Sequence, residues 1–245
     1  MKSLILAAGY ATRLWPLTLN QPKSLLPVKN KAIIDYIVDK IKKIDDLDDI
    51  YIVSNATFVK NFEDWKNSHK ISKRISVVDN GIDNVNQRRG SIGDILFGIE
   101  NKNIKDDLLI IAGDNLFNFD LTDFMKFCLS HKTSVTLGLF DVADRQAARQ
   151  YGIAAIDSNS IITDFVEKPK DPPSTLAAMC LYFIPAAKLN LLTEYKNQGF
   201  ALDFAGNFIE WLSKIEPVYG YAFKGMWLDI GDEKSLKFAQ LNYKE

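Results

Sequence analysis

The segment on which the predicted fold depends is Met1-Lys-Ser-Leu-Ile-Leu-Ala-Ala-Gly-Tyr-Ala-Thr-Arg-Leu-Trp-Pro-Leu-Thr-Leu-Asn-Gln-Pro-Lys-Ser-Leu-Leu-Pro-Val28. Its apolar run, Leu4 to Ala8, predicts a buried strand that stops at Gly9. The loop that follows carries Arg13, and Lys23 lies further on, between two prolines. Small residues in the loop let the backbone approach a ligand, and successive N–H groups in such a turn form an anion-binding nest. The segment therefore predicts a polyphosphate site beside a planar group that backbone atoms can recognise.

Two common phosphate-binding motifs do not fit this segment. A P-loop needs G-x-x-x-x-G-K-[ST], and no such Gly-Lys pair follows Gly9. A dinucleotide fingerprint needs G-x-G-x-x-G, but Ala11 and Leu14 stand at its later glycine positions. A nicotinamide-dependent oxidoreductase is therefore disfavoured.

The pattern L-A-A-G-x-A-T-R-L-x-P-L-T, followed by P-K-x-L-L-P-V, resembles the signature of sugar-1-phosphate nucleotidylyltransferases. These NDP-sugar pyrophosphorylases include the glucose-1-phosphate thymidylyl and uridylyl enzymes. The resemblance implies that Arg13 and Lys23 are catalytic. It also implies nucleotide contacts along the signature and at two later positions, namely at Leu6, Ala8, Gly9, Ala11, Thr12, Arg13, Gly90 and Asp114.

Composition limits the remaining function classes. The 245 residues are 47% hydrophobic and 25% charged, with a formal net charge of −1, as in ordinary globular proteins. No overall field attracts nucleic acid or an anionic membrane surface, so any phosphate site must be local. Cys128 and Cys180 lack metal-ligand spacing and are expected to be reduced thiols. With no signal-like or membrane-length apolar run near the start, we expect a cytoplasmic protein that binds neither nucleic acid nor membrane.

Strand and helix patterns alternate along the first 140 residues. Apolar residues recur at helical spacing from Ile33 to Ile44, and the acidic run Asp45 to Asp49 is expected to be a solvated loop. Further strands are predicted at 50–53, 75–79, 108–111 and 134–140, and further helices at 58–65, 95–99 and 119–129. This alternation predicts an α/β fold, namely a Rossmann-like, mixed but mostly parallel sheet flanked by helices.

The second part of the chain has a different pattern. Strands are predicted at 153–156, 161–167 and 178–184, separated by short turns, and are expected to form a small antiparallel sugar-binding region. Helices at 186–195 and 203–215, a strand at 218–223 and a last helix follow. We therefore expect one nucleotidyltransferase domain over residues 1–245, with a nucleotide-binding half at about 1–140 and a sugar-binding part at about 141–245.

A long polar loop, residues 80–94, precedes the predicted helix at 95–99. Its glycines, Gly90 and Gly93, suit a backbone that meets the polar edge of a ligand. In the resembling family the equivalent glycine-led loop recognises the nucleotide base. Asn84, Asn86 or Gln87 could supply the base-reading side chain, so the base stays open.

Two aspartates are candidate metal ligands. Asp114 follows a buried strand, where α/β sheets bind ligands, although an Asx turn or a helix cap would also suit it. Asp229 lies between apolar residues, where an unpaired carboxylate would be costly, whereas Asp232 is typical of a helix N-cap. The family resemblance implies that Asp114 and Asp229 hold Mg²⁺, the expected cofactor.

Candidate sugar-site residues lie in the second part of the chain. By resemblance, Glu167 binds sugar hydroxyls, Lys168 holds the sugar phosphate, and Asp229 is the third residue of this sugar-phosphate site. Glu167 and Lys168 are neighbours on a predicted strand, so their side chains are expected to lie on opposite faces. Cys180 stands where the family usually has Gly, which could narrow the pocket. Asp203 could face the sugar or cap a helix.

The implied reaction joins an NTP and a sugar 1-phosphate into an NDP-sugar and pyrophosphate, with UTP or dTTP and glucose 1-phosphate favoured. Two alternatives stay open: a cytidylyltransferase that acts on phosphocholine, and a catalytically silent, nucleotide-sensing homologue. Because family members often form oligomers, the resemblance also leaves a homo-oligomer open.

Overall fold

A computed structural model describes all 245 residues. The strands are β1 Lys2–Leu6, β2 Pro27–Val28, β3 Lys31–Ala32, β4 Asp49–Ser54, β5 Arg74–Asp79, β6 Leu108–Ala112, β7 Asn115–Phe117, β8 Thr136–Asp141, β9 Gly152–Ile156, β10 Ile162–Glu167, β11 Leu176–Ile184, β12 Tyr219–Phe223 and β13 Trp227–Asp229. The α-helices are α1 Ile33–Ile41, α2 Val59–Ser68, α3 Gly90–Lys102, α4 Thr122–Ser130, α5 Arg145–Ala148, α6 Asn190–Asn197, α7 Ala205–Leu212 and α8 Glu233–Asn242. None of these helices is long and apolar enough to cross a membrane.

Nine strands form one mixed sheet with β1 near its centre. The path runs β10-β9-β11-β6-β1-β4-β5, and β8 and β12 extend it beside β11. The block β6-β1-β4-β5 is parallel, as is the pair β8–β12, whereas β11 runs antiparallel to β6, β8 and β9. This confirms the predicted α/β class, and the strands of the second part join the same sheet as those of the first.

Helices cover both faces of the sheet because the central strands are apolar on both sides. In β1, Leu4 packs into one core cluster with side chains of α3, α6 and α7, while Ile5 packs into the other with side chains of α1, α2, α4 and α8. Both residues have no exposed surface. A strand buried on both faces is typical of parallel α/β sheets.

Several predicted boundaries change in the structure. The strand β1 spans Lys2–Leu6 and therefore ends two residues before Ala8, the predicted end of the apolar strand. Helix α3 begins at Gly90 rather than at Ile95, so the predicted polar loop ends five residues earlier. The prediction that Asp232 caps the last helix is confirmed, since its carboxylate accepts a hydrogen bond from the N–H of Ser235 at 2.8 Å.

Asp49 corrects the expectation of a solvated acidic loop. It is the first residue of β4 and is only 5% exposed. Its carboxylate accepts a hydrogen bond from Lys2 Nζ at 2.7 Å and another from Arg74 Nε. Burial opposes ionisation, but the hydrogen bonds from Arg74 and Lys2 outweigh it and hold the pKa of Asp49 below its ordinary value. Asp49 thereby ties the first residues of three adjacent strands together.

We predict that Asp49→Ala lowers the free energy of unfolding by about 1–2 kcal/mol at pH 7, since it removes a buried hydrogen-bonded charge with one exposed partner. Because the pKa is lowered by folding, this stabilisation exists above the pKa of the unfolded state and is lost as the pH falls through that of the folded state. Urea titrations at pH 7 and pH 3 measure both effects. Asp64→Ala, which breaks the exposed pair with Lys60, is the matched control and should change the free energy by less than about 0.5 kcal/mol. Equal losses in the two variants would contradict the role of Asp49.

Candidate active site

The signature loop and the loop after β6 meet at the carboxyl edge of the sheet. The chain goes from β1 outward to β4 and β5 in one direction and then returns to place β6 on the other side of β1. Such a reversal creates a crevice above the strand ends, which is where open α/β sheets bind ligands. Gly113 joins the loop after β6 to the end of β1, since its N–H donates to the carbonyl of Leu6 at 2.8 Å. A Cβ at this position would lie 2.8 Å from that carbonyl oxygen and 2.8 Å from Ser24 Oγ. Only glycine fits this approach.

The signature loop is a tight turn held by its own backbone. Ala11 has a left-handed φ of +48°, and its carbonyl accepts hydrogen bonds from the N–H of Leu14 at 2.9 Å and from Thr18 Oγ1 at 2.9 Å. Thr12 begins the short 3-10 helix that carries Arg13. The Arg13 side chain lies against Gly231, where a Cβ would come within 3.5 Å of a guanidinium nitrogen. The structure therefore brings the loop after β1 next to the segment after β13.

Lys23 and Asp114 form an ion pair at the centre of the edge. Lys23 Nζ lies 2.5 Å from Asp114 Oδ2, and the two side chains are 16% and 28% exposed. Lys23 begins a 3-10 helix that starts directly after Pro22, and Asp114 stands between β6 and β7. The ion pair joins the second half of the signature to the candidate metal ligand.

Asp229 is adjacent to Asp114 because β13 pairs with β7. In this short antiparallel pair Asp229 lies opposite Asn115, and the N–H of Ile230 donates to the carbonyl of Asp114 at 3.1 Å. Burial, and next the charge of Asp114, raise the pKa of Asp229 to about 6, while the charges of Lys23, Arg13 and Lys168 oppose the rise. An ionised carboxylate is therefore costly at this position, as the apolar neighbours of Asp229 in the sequence predict.

The donor set fits Mg²⁺. The chain contains no group of three or more His, Cys, Asp or Glu side chains arranged as a complete metal cage. Mg²⁺ does not need one, since it is usually held by one or two carboxylates together with water and substrate phosphates. Asp114 and Asp229 are adjacent carboxylates, and burial, followed by the charge of Asp114, makes ionisation of Asp229 unfavourable without a counter-charge; together they are a suitable partial shell.

A cavity of about 270 Å³ adjoins these residues. Its lining comes from six strands and from the N-terminal parts of α3 and α7, and includes Ser91, Asp114, Asn115, Gln150, Tyr151, Gly152, Glu167, Met179, Cys180, Tyr182, Asp203, Phe204, Gly206, Trp227 and Asp229. A larger cavity of about 320 Å³ lies at the opposite, amino end of the strands, beside Met1 and Asp107, and contains no predicted site residue. The smaller cavity is therefore the candidate substrate pocket.

Glu167 projects into the pocket between two glycines. A Cβ on Gly206 would lie 1.8 Å from a carboxylate oxygen of Glu167, and one on Gly152 would lie 2.7 Å away. Burial raises the pKa of Glu167, and its carboxylate makes no hydrogen bond or ion pair within the protein. An acceptor of this kind, facing a cavity, is suited to the hydroxyl groups of a ligand.

Lys168 corrects the expectation that it lies on the face opposite Glu167. It follows the end of β10 and has a left-handed φ of +50°, so the alternation of the strand no longer applies. Its N–H donates to the carbonyl of Tyr151 at 3.0 Å, and its Nζ lies 3.9 Å from the centre of the Phe204 ring. Because Phe204 lines the pocket, Glu167 and Lys168 belong to the same site.

Gly90 is enclosed by the chain and does not lie on an open loop. Its φ is +79°, and a Cβ would lie 2.4 Å from the carbonyl oxygen of Leu202. The next two N–H groups of α3, from Ser91 and Ile92, donate to the carbonyls of Asp203 and Leu202 at 3.1 and 3.0 Å. The segment before α7 is thus hydrogen-bonded to the first turn of α3. Ser91, in that turn, lines the pocket.

Some pocket residues are not predicted by the sequence. Gln150 and Tyr151 belong to no sequence motif. They line the pocket because they come directly before β9, whose first residue, Gly152, also lines it. For Asp203 the sequence leaves two roles open. Helix α7 has no side-chain cap and starts after Phe204, so Asp203 does not cap it. Asp203 lines the pocket instead.

Cys180 has the backbone that glycine favours. Its φ is +50°, within an irregularity of β11 between Ala178 and Tyr182. Burial raises the pKa of its thiol to about 12, which keeps the sulfur protonated and unsuited to nucleophilic attack. A cysteine at this position contributes bulk to the pocket wall.

We predict that Asp229→Asn stabilises the ligand-free protein at pH 8 by roughly 1–3 kcal/mol, since folding raises the pKa of this carboxyl and its ionisation therefore opposes folding. The penalty is absent below the pKa of the unfolded state and grows as the pH rises towards about 6. Urea titrations of both proteins at pH 3 and pH 8 measure the difference, which should be near zero at pH 3. A constant difference between the two proteins at both pH values would contradict this assignment.

Comparisons with known proteins give the same family as the signature. The sequence profile described as "Nucleotidyl transferase" matches residues 2–245. A Sulfolobus acidocaldarius protein named "Putative mannose-1-phosphate guanyltransferase" is 30% identical over 231 residues, which cover 94% of this chain and 60% of that protein. The "Bifunctional protein GlmU" of Methanocaldococcus jannaschii is 29% identical over 232 residues, covering 94% of this chain and 51% of that protein. The chain thus spans between half and two thirds of these relatives.

A solved structure shares the fold over the whole chain. It is described as a "Putative Glucose-1-Phosphate Thymidylyltransferase from Bacillus anthracis" and superposes with a TM-score of 0.84 at 24% identity, covering 100% of this chain and 98% of that one. This likeness supports the mixed sheet with flanking helices. The profile match over nearly every residue confirms the family resemblance, and the chain belongs to the nucleotidyl transferase family.

Proposed function

We propose that the protein transfers a nucleotidyl group from an NTP to a sugar 1-phosphate and releases pyrophosphate. One observation carries the proposal: Asp114 and Asp229 line the pocket that contains Glu167, and Asp114 is also bonded to Lys23 of the signature. The phosphate-binding part and the hydroxyl-accepting part therefore share two carboxylates. A reaction that joins a polyphosphate to a polyhydroxylated phosphate needs such an arrangement.

The base and the sugar are narrower proposals. The signature resembles the enzymes that use UTP or dTTP with glucose 1-phosphate. The name of the Sulfolobus acidocaldarius relative adds GTP and mannose 1-phosphate to the combinations worth testing. The side chains of Asn84, Asn86 and Gln87 remain the candidates for base recognition.

The chemistry requires no general base. A phosphate oxygen of the sugar 1-phosphate attacks the α-phosphorus of the NTP, the bond between the α-phosphorus and the bridging oxygen breaks, and pyrophosphate leaves with that oxygen. The nucleophile is already an anion, so no proton needs to be removed. Neither histidine lines the pocket: His69 bonds to Trp65, and His131 packs on Phe127. Catalysis then consists of positioning and charge stabilisation.

Repulsion between the two anionic substrates is the main barrier, and this chain offers three cations against it. Arg13 presents a planar guanidinium that suits bidentate contact with the leaving phosphates. An incoming polyphosphate offers Lys23 a second anionic partner beside Asp114, and Lys23 would stabilise charge at the α-phosphate. Lys168, held over Phe204, would orient the sugar phosphate.

Asp114 and Asp229 would hold Mg²⁺. When bound, the ion supplies a counter-charge for the nucleotide phosphates. The two aspartates contribute hard oxygen donors, and the burial of Asp229 limits competition from water. Raising the pKa of Asp229 to about 6 leaves it largely ionised at neutral pH, so it can serve as a ligand there.

A non-sugar acceptor is the second candidate. Aromatic rings at Tyr151, Phe204 and Trp227, with carboxylates nearby, could enclose a quaternary ammonium group such as that of phosphocholine. Lys168 opposes this assignment, since its ammonium already occupies the face of Phe204 and would repel a second cation. A silent nucleotide-sensing homologue would bind NTP and release no pyrophosphate. A sugar acceptor therefore remains the primary proposal.

We expect Lys23→Ala and Arg13→Ala each to lower kcat by a factor on the order of 10² or more, as loss of one positioned charge donor does. Pyrophosphate release under saturating substrates gives the measurement. Lys60→Ala removes an exposed cation on α2 and serves as the control. Near wild-type rates in both site variants would contradict these roles.

We expect Glu167→Gln to raise KM for the sugar 1-phosphate by roughly tenfold while KM for the NTP stays within about twofold, because an amide accepts fewer hydrogen bonds from hydroxyls than a carboxylate. Pyrophosphate release is followed across UTP, dTTP, GTP, CTP and ATP, each with glucose 1-phosphate, mannose 1-phosphate and phosphocholine. The matched control is Asp164→Asn, which neutralises an exposed carboxylate on the same strand and should leave both KM values unchanged. Turnover of phosphocholine with CTP alone would replace the sugar proposal with the second candidate.

A further inference from the structure

Two buried asparagines follow neighbouring parallel strands at the edge that carries the signature. Asn55 comes directly after β4 and is 0% exposed, and Asn80 comes directly after β5 and is 2% exposed. A buried amide is costly unless its donors and acceptor are bonded. The partners of both side chains lie on or lead towards the nucleotide-binding loops.

Asn55 makes a direct hydrogen bond to the signature loop. Its Nδ2 donates to the carbonyl of Ala8 at 2.9 Å, and its Oδ1 accepts from the N–H of Phe58 at 3.1 Å. One side chain thus joins the end of β1 to the segment that enters α2. The position of the Ala8 peptide is fixed from outside the loop.

Asn80 takes part in a larger network of hydrogen bonds. Its Nδ2 donates to Asp94 Oδ1 on α3 at 2.7 Å, and its Oδ1 accepts from the N–H of Ile82 at 2.9 Å. Its backbone carbonyl accepts from Arg89 Nε at 3.0 Å. Asp94 is the partner that fixes the amide, because a carboxylate only accepts and therefore requires the NH₂ end of Asn80 to face it.

The network reaches the signature through Tyr10. The Tyr10 hydroxyl donates to the carbonyl of Ile82 at 3.0 Å, and the same carbonyl accepts from the N–H of Ala56 at 2.9 Å. Tyr10 stands directly after Gly9. A continuous path of hydrogen bonds therefore runs from Asp94 through Asn80 and Ile82 to the signature loop.

We propose that Asp94, Asn80 and Tyr10 are positioning residues that hold the loop of residues 80–89 at a fixed place relative to the signature loop, and thereby set the affinity for the nucleotide. The inference depends on the proposed function, in which one loop faces the base and the other the phosphates. Loops that are already fixed do not have to be ordered when the nucleotide binds, so the entropy cost of binding is lower. None of the three residues lines the sugar pocket, so the affinity for the sugar phosphate does not depend on them.

Asp94→Ala removes the acceptor and should raise KM for the NTP about tenfold, with KM for the sugar 1-phosphate unchanged within about twofold. Asp94→Asn keeps an acceptor oxygen and should restore most of the nucleotide KM. Tyr10→Phe deletes one hydroxyl and should raise the nucleotide KM about threefold. Asp83→Ala removes an exposed carboxylate from the same loop without touching the network and should leave both KM values unchanged.

A direct nucleotide titration by calorimetry separates this inference from the proposed function. If the wild-type protein binds NTP but releases no pyrophosphate, the proposed reaction fails, while a weaker Kd in Asp94→Ala and recovery in Asp94→Asn would still support the network. Unchanged nucleotide KM and Kd in Asp94→Ala, or equal weakening of both substrates, would overturn the inference. Should Asp94→Ala fail to fold, as judged by circular dichroism, Tyr10→Phe and Asn80→Asp provide the same comparison, and unchanged nucleotide affinity in both would overturn it.

Discussion

The site depends on the placement of two acidic side chains, Asp114 and Asp229, beside each other in a partly buried crevice. The fold places the two carboxylates beside each other at one end of the short β7–β13 strand pair, where burial, and next the charge of Asp114, raise the pKa of Asp229 to about 6. Lys23 compensates Asp114 through a direct ion pair, and Arg13 approaches the same segment from the signature loop. Without a metal the arrangement is electrostatically costly, and such a cost is typical of functional sites rather than of structural ones.

The order of the strands in the sheet explains why Asp114, Asp229 and the signature loop lie together. Because β1 lies between β4 and β6, the loops that follow β1 and β6 open into one crevice. β13 then pairs with β7 directly beyond β6 and brings Asp229 to the same place. The antiparallel strand β11 adds the pocket wall beside it. The groups proposed to bind phosphate and the groups proposed to bind hydroxyls are thus neighbours because of strand order.

The sequence predicts the parts of the molecule that depend on local patterns. Apolar runs and helical spacing locate the central strands and most helices, and the signature brings Lys23 into the pocket region through its ion pair with Asp114. Features that depend on distant contacts escape such patterns. The start of α3 is fixed by carbonyls of residues 202 and 203, more than a hundred positions away. A left-handed backbone, which strand alternation does not predict, directs Lys168 to Phe204 at the pocket wall. The acidic run predicts a solvated Asp49 because the partners that bury it, Lys2 and Arg74, lie on other strands.

The most direct test of the account follows the atoms of the reaction. Sugar 1-phosphate labelled with ¹⁸O in its non-bridging phosphate oxygens is incubated with the matching NTP, Mg²⁺ and the protein, and the products are analysed by ³¹P nuclear magnetic resonance and mass spectrometry. Attack of the sugar phosphate on the α-phosphorus predicts that all label is found in the NDP-sugar and none in pyrophosphate. Label in pyrophosphate, or release of labelled inorganic phosphate without an NDP-sugar, would contradict the proposed nucleotidyl transfer.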